Sequence, residues 1–234
     1  MKITIAGDLG SGKSTIGRAL ADQWGYDFYS TGDIFRKLSA EKGLDILAGN
    51  KMGENDRSFD DEVDNYSKSI GETQENFLFD SRLAWHFIPD SISIYFYCDS
   101  KVAAERIYKA QRKDERSSDV EEMVRINKER RLSEINRYKE LYGLDILNLT
   151  NYDLVIDTTY YPADTLVEWL MAAIQKGRKG VYLSHETLEA AKHLDEKPNP
   201  MNIMADYNIE GWKVDKFGLQ RCNPAQGFVQ VSLI

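Results

Sequence analysis

The chain has 234 residues, 42% of them hydrophobic, and a formal net charge of −8 at pH 7, which suits one domain, or one domain with an appendage, around a real core. An acidic chain lacks the broad basic face that general nucleic-acid binding needs, while a local basic pocket for a phosphate ligand stays open to it. No apolar run nears the roughly 20 residues that cross a bilayer, the start MKITIAG has none of the regions of a signal peptide, and Cys98 and Cys222 read as reduced thiols outside any zinc-type cluster, so a cytoplasmic location with no membrane partner is expected.

Residues 1–5 read as a buried strand. The run GDLGSGKS at 7–14 follows it and fits the phosphate-loop pattern of two glycines framing four residues, then Lys and Ser. Gly7, Gly10 and Gly12 let the backbone curl, so that the N–H groups from Leu9 and Ser11 through Thr15 converge on an anion. The helix expected over 14–24 adds its N-terminal dipole. Lys13 supplies a mobile positive charge for the β- and γ-phosphates of a nucleoside triphosphate, and the Ser14 hydroxyl suits Mg²⁺, a hard cation that prefers oxygen. A short strand over 26–29 comes next. Ser30 then opens a second helix in a capping-box pattern, with Asp33 three residues on. Arg36 falls on its second turn, where it either clamps an acceptor phosphate with both guanidinium nitrogens or faces solvent.

Residues 60–70 are expected to be helical. A third strand over 77–79 ends in Asp80, Ser81 and Arg82. An apolar strand ending in Asp is the Walker-B pattern, whose carboxylate serves Mg²⁺ near the phosphate loop, and ligands of such sheets bind at the carboxyl ends of the strands. A fourth strand over 92–97 and a helix over 101–111 lead to a long charged stretch, one helix or two, over 120–142. There Arg130 and Arg137 stand seven residues apart on one helical face with Glu134 between them, and Arg112, Arg116, Arg125 and Arg131 add positive charge. Such a stretch is either a solvated surface helix or a lid whose arginines close over the charge that phosphoryl transfer develops. A fifth strand over 154–156 and a helix over 162–175 complete the alternation. The expectation is a three-layer α/β fold with a parallel five-stranded sheet and a helical lid. Beyond KGRKG at 176–180, which reads as a linker, Ser184 caps a possible helix and strand-like pieces recur near 212–214 and 228–233, a small α+β appendage over 178–234.

Taken together, these pieces resemble nucleoside monophosphate kinases, and among them the archaeal-type cytidylate kinase group. GDLGSGKST at 7–15, STGDIFRKLS at 30–39, FDDEVD at 59–64, LFDSRLAW at 78–85, ERRLSEINRYKELYGLDI at 129–146 and YDLVIDTT at 152–159 carry the resemblance, in the group's order, over residues 1 to about 175. The resemblance implies Mg²⁺-dependent transfer of the γ-phosphoryl group of ATP to CMP or dCMP by a domain spanning 1–176, with a lid at about 112–138. It further implies that Lys13 and the loop hold the ATP phosphates, that Ser14 and Asp80 serve Mg²⁺, and that Thr158 lies near the ATP base. Thr31, Arg36, Asp60 and Arg82 would hold the acceptor, while Arg130, Arg137 and Arg112 would act as lid arginines. Two other readings keep the phosphate loop: a kinase for a different nucleotide or small-molecule acceptor, and a nucleotide-dependent switch acting through the appendage, to which the sequence assigns no partner.

Overall fold

A computed structural model describes residues 1–34, 57–110, 117–184, 186–187, 212–213, 221–223 and 228–233. The order is β1 (Lys2–Gly7), α1 (Lys13–Trp24), β2 (Asp27–Ser30), α2 (Arg57–Thr73), β3 (Phe77–Asp80), α3 (Ala84–Phe87), β4 (Ile92–Tyr97), α4 (Ser100–Ala110) and α5 (Val120–Tyr142). A short 3₁₀ turn (Leu149–Asn151), β5 (Leu154–Asp157), α6 (Ala163–Gln175), β6 (Gly180–Ser184), β7 (Trp212–Lys213), β8 (Arg221–Asn223) and β9 (Phe228–Leu233) follow.

The sheet runs β2-β3-β1-β4-β5-β6-β9-β7, with β8 also pairing to β9. From β2 to β6 every pairing is parallel, so the parallel part holds six strands where the sequence led us to expect five. The additional strand is β6. Its short run GVYLS follows the basic linker signal, and only its tertiary pairing with β5 makes it a sheet member. β9 closes its far side in antiparallel fashion. The stretch 120–142 is a single helix. Asp119 caps it by accepting from the Glu122 N–H at 2.8 Å, and Gly143, at φ 69°, ends it.

Both sheet faces are buried, as helix-covered parallel strands require. Ile94 and Phe96 of β4 face α1 and α6, where Ile16, Leu20, Leu166 and Leu170 complete one core. Tyr95 and Tyr97 point the other way, against Leu149, Tyr152, Val155 and Val181. Trp169 of α6 meets Tyr182 of β6 edge to face, with centroids 4.8 Å apart. Each such fully buried side chain contributes about 1.5–3 kcal/mol.

Register brings the chemistry together. Ile5 of β1 and Ser30 of β2 each pair with Asp80 of β3, so the phosphate loop, the Asp80 carboxylate and the start of residues 31–34 emerge side by side. At the other end of the same edge, Asp157 is fully buried. Its carboxylate accepts from the Thr159 N–H at 2.9 Å, the Ser184 N–H at 3.1 Å, the Ser184 hydroxyl at 2.7 Å, and the Thr187 hydroxyl. Ser184 Oγ in turn accepts from the Thr187 N–H at 3.0 Å, the cap that its sequence context predicts.

Candidate active site

The phosphate loop is shaped by backbone contacts that only glycine tolerates. A Cβ on Gly7 would lie 2.4 Å from Phe96 O, and one on Gly10, at φ +73°, would lie 2.5 Å from Ala103 O on α4. Within the curl, Ser11 Oγ donates to Asp8 O at 2.8 Å. Lys13 Nζ folds over the loop and donates to Gly7 O at 3.0 Å and Asp8 O at 2.5 Å. Burial, and then the nearby Arg82 charge, bring the Lys13 ammonium down to about 8. Ser14 Oγ donates to Asp80 Oδ2 at 2.6 Å, so the two groups expected to serve Mg²⁺ are already in contact between the first turn of α1 and the end of β3.

The loop opens into a cleft of about 790 Å³. Leu9, Gly10, Gly12, Lys13, Ser14 and Thr15 line one end; Thr31, Asp60, Asp64, Phe87, Tyr138 and Tyr142 line the other; Asp80, Arg82, Arg106 and Arg130 also face it. Arg82 and Arg130 share one carboxylate. Arg82 Nε donates to Glu134 Oε2 at 2.5 Å, and Arg130 Nε stands 3.4 Å from Glu134 Oε1. Burial alone would raise the Glu134 carboxyl, but Arg82, Arg130 and Arg131 hold it below the ordinary glutamate range. Thus Glu134 orients Arg130, as its position on α5 suggests, and also Arg82, which the sequence does not reveal.

The other expected residues divide. Thr31 lines the cleft, and its buried Oγ1 has no hydrogen-bond partner. Asp60 lines it too, but its carboxylate accepts both hydrogen bonds of an Arg137 guanidinium nitrogen. Arg137 is therefore anchored to α2 and is not among the cleft-lining residues, unlike Arg130. Thr158 is 1% exposed and donates its hydroxyl to Tyr97 O at 2.9 Å, so its side chain is turned from the cleft. What fixes its loop is Arg106, which donates to the carbonyls of Thr158 and Thr159 at 2.8 and 2.9 Å. Arg36 and Arg112 lie outside the described residues.

Several groups went unseen in the sequence. Asp8, inside the loop motif, accepts from Tyr95 OH at 2.7 Å and from the Cys98 N–H at 2.9 Å, and Arg131 of α5 approaches it to 3.4 Å while also donating to Tyr95 OH. This ties the long helix to the loop. Asp64 and Ser67 share the cleft face of α2 with Asp60 and Val63, the i, i+3, i+4, i+7 pattern that could have flagged them. Among the described residues no group of three or more His, Cys, Asp or Glu side chains is placed to hold a metal. The Ser14–Asp80 pair still fits Mg²⁺, which takes few protein ligands and keeps waters and substrate phosphates. No helix among the described residues is long and apolar enough to cross a membrane.

A phosphate loop at the end of β1, a strand-end carboxylate beside its serine and arginines from β3 and a long helix facing one cleft define a P-loop kinase. The sequence model of the Cytidylate kinase-like family matches residues 2–160, and the chain belongs to that family. It is 36% identical over 177 residues to a cytidylate kinase of Methanosarcina acetivorans, covering 74% of this chain and 96% of that protein. A cytidylate kinase of Natronomonas pharaonis is 39% identical over 166 residues, covering 70% and 84% respectively. Among solved structures, shikimate kinases from Bacteroides thetaiotaomicron (TM-score 0.54, 15% identity, 75% of this chain and 98% of that one) and Acinetobacter baumannii (TM-score 0.52, 20% identity, 75% and 93%) share the fold.

Proposed function

We propose that the protein transfers the γ-phosphoryl group of ATP to CMP or dCMP in the presence of Mg²⁺. The observation that carries this reading is the convergence of Lys13, Arg82, Arg130 and the Ser14–Asp80 pair on one cleft. The loop N–H groups and Lys13 hold the triphosphate. Ser14 and Asp80 would hold Mg²⁺, which when bound would neutralise charge on the phosphate oxygens. Arg82 and Arg130, aimed by Glu134, face the site between donor and acceptor and stabilise the charge spread over the migrating phosphoryl group. Thr31 and, from the resemblance, Arg36 serve the acceptor, with Arg112 on the lid, while Asp60 and Arg137, which hold each other, join α2 to α5. No strong general base is required, because the acceptor phosphate is already an anion near neutral pH, so positioning and electrostatics carry the reaction. We assign this work to residues 1–176 and treat 178–234 as a C-terminal extension joined to it through β6.

The test is a coupled ADP-release screen of the full chain with Mg²⁺ against every common nucleoside monophosphate and deoxynucleoside monophosphate. Turnover with CMP or dCMP above the ATP-only rate is expected. Failure of CMP, dCMP and UMP together refutes the reading.

A further inference from the structure

The acceptor end of the cleft has a chemical polarity of its own. Asp64 is 9% exposed yet lines the cleft. Its Oδ2 accepts from Tyr142 OH at 2.7 Å, and Oδ1 has no hydrogen bond among the described residues. One turn further along α2, the Ser67 hydroxyl spends its proton on Val63 O at 2.8 Å, so toward the cleft its oxygen is an acceptor. The Tyr142 proton is spent on Asp64 in the same way. The neighbouring Asp60 carboxylate is taken by Arg137. The walls beside these groups are Val63, Leu83, Phe87 and Tyr142, with the last two rings edge to face at 5.9 Å. Among the described residues, the walls beside Asp64 are therefore apolar, and the hydrogen-bonding groups on this face of α2 accept.

Resting on the phosphotransferase reading above, we propose that Asp64, supported by Ser67, is the base-selecting residue and takes the exocyclic 4-amino group of cytosine. A carboxylate pairs naturally with that amine, as it does when proteins read cytosine in a groove. Uracil and thymine present a carbonyl oxygen at the same position, so their lone pairs would face a desolvated carboxylate with no proton between them. A site built to satisfy a polar group rejects the analogue that leaves its buried partner unpaired. Tyr142, by donating to Oδ2, fixes the carboxylate plane and leaves Oδ1 directed to the ligand.

The experiment compares kcat/KM for CMP, UMP and AMP in the wild type and in Asp64→Asn, with KM for ATP and the melting temperature as controls. The amide keeps the shape but offers a donor. The CMP-to-UMP preference is expected to fall about ten- to a hundredfold, mainly through KM for CMP, with KM for ATP unchanged. An unaltered CMP-to-UMP preference in a folded variant overturns the proposal, as does a wild type that uses UMP as well as CMP. Should the variant not fold, the wild type is assayed with the monophosphate of the pyrimidin-2-one riboside, which lacks the amine. Its kcat/KM is expected to lie about tenfold or more below that of CMP, and equal use overturns the proposal. If no monophosphate is turned over at all, the phosphotransferase reading itself fails; turnover of CMP with an indifferent Asp64 sinks this inference alone.

Discussion

Replacing Glu134 by Gln removes the one carboxylate that Arg82 and Arg130 share. The side-chain exposures are 16% for Glu134, 20% for Arg82 and 47% for Arg130. Breaking a fully buried pair costs about 3–5 kcal/mol, whereas an exposed pair is worth about 0–1. A mostly buried Glu134 with one half-exposed partner falls between, at about 2 kcal/mol. For a chain of 234 residues that lowers Tm by about 4–8 °C. The effect carries a pH signature. The folded state holds the Glu134 carboxyl below its ordinary value, so its stabilisation is present above the unfolded glutamate pKa of about 4.3 and is lost as pH falls through the folded pKa. The Tm gap between wild type and Glu134→Gln is therefore expected at pH 7 and should shrink as pH drops below 4. Turnover should fall about tenfold or more, with KM for ATP little changed, because the two guanidinium groups lose their aim while the phosphate loop is untouched. Melting curves across pH and steady-state kinetics measure both. Equal melting temperatures at neutral pH, or a gap that persists in acid, would refute the reasoning.

Because Lys13 is brought down to about 8, kcat/KM for ATP should decline as pH rises past that value and the ammonium discharges; a profile flat to pH 10 contradicts this. Gly10→Ala should cost about 1–2 kcal/mol from the left-handed backbone alone, and more from the contact with Ala103 O, which a wild-type melting curve would disprove. Ser14→Ala should raise the Mg²⁺ concentration for half-maximal rate about tenfold or more, measured by metal titration of the coupled assay, and should lower Tm as the Asp80 carboxylate loses a donor. Phe96→Ala, which empties a site of zero exposure at the sheet centre, should destabilise by about 3–5 kcal/mol in a denaturant titration.

What the sequence disclosed was local. The phosphate loop follows from consecutive residues whose types are dictated by a curl around an anion, and the position of the Asp80 carboxylate follows from a strand that stops in a polar residue. β6 escaped because GVYLS is short and follows a charged linker, and what makes it a strand is an edge of β5 that periodicity cannot see. The spacing of Arg130 and Arg137 correctly gives a shared helical face, but seven residues also separate them by roughly 10 Å along the axis. One therefore reaches the cleft while the other meets Asp60. The Arg82–Glu134 and Asp64–Tyr142 contacts join elements distant in the chain, and a single sequence carries no signal for such partners.

The Asp157 carboxylate reaches across a boundary that alignment draws. The family match stops at residue 160, yet two hydroxyls that donate to this buried carboxyl group come from Ser184 and Thr187. Cutting the chain at its basic linker would remove β6 and both of these hydroxyl donors, next to the loop that Arg106 grips. In the full chain, Ser184 and Thr187 therefore hold the residue that leads directly into that loop.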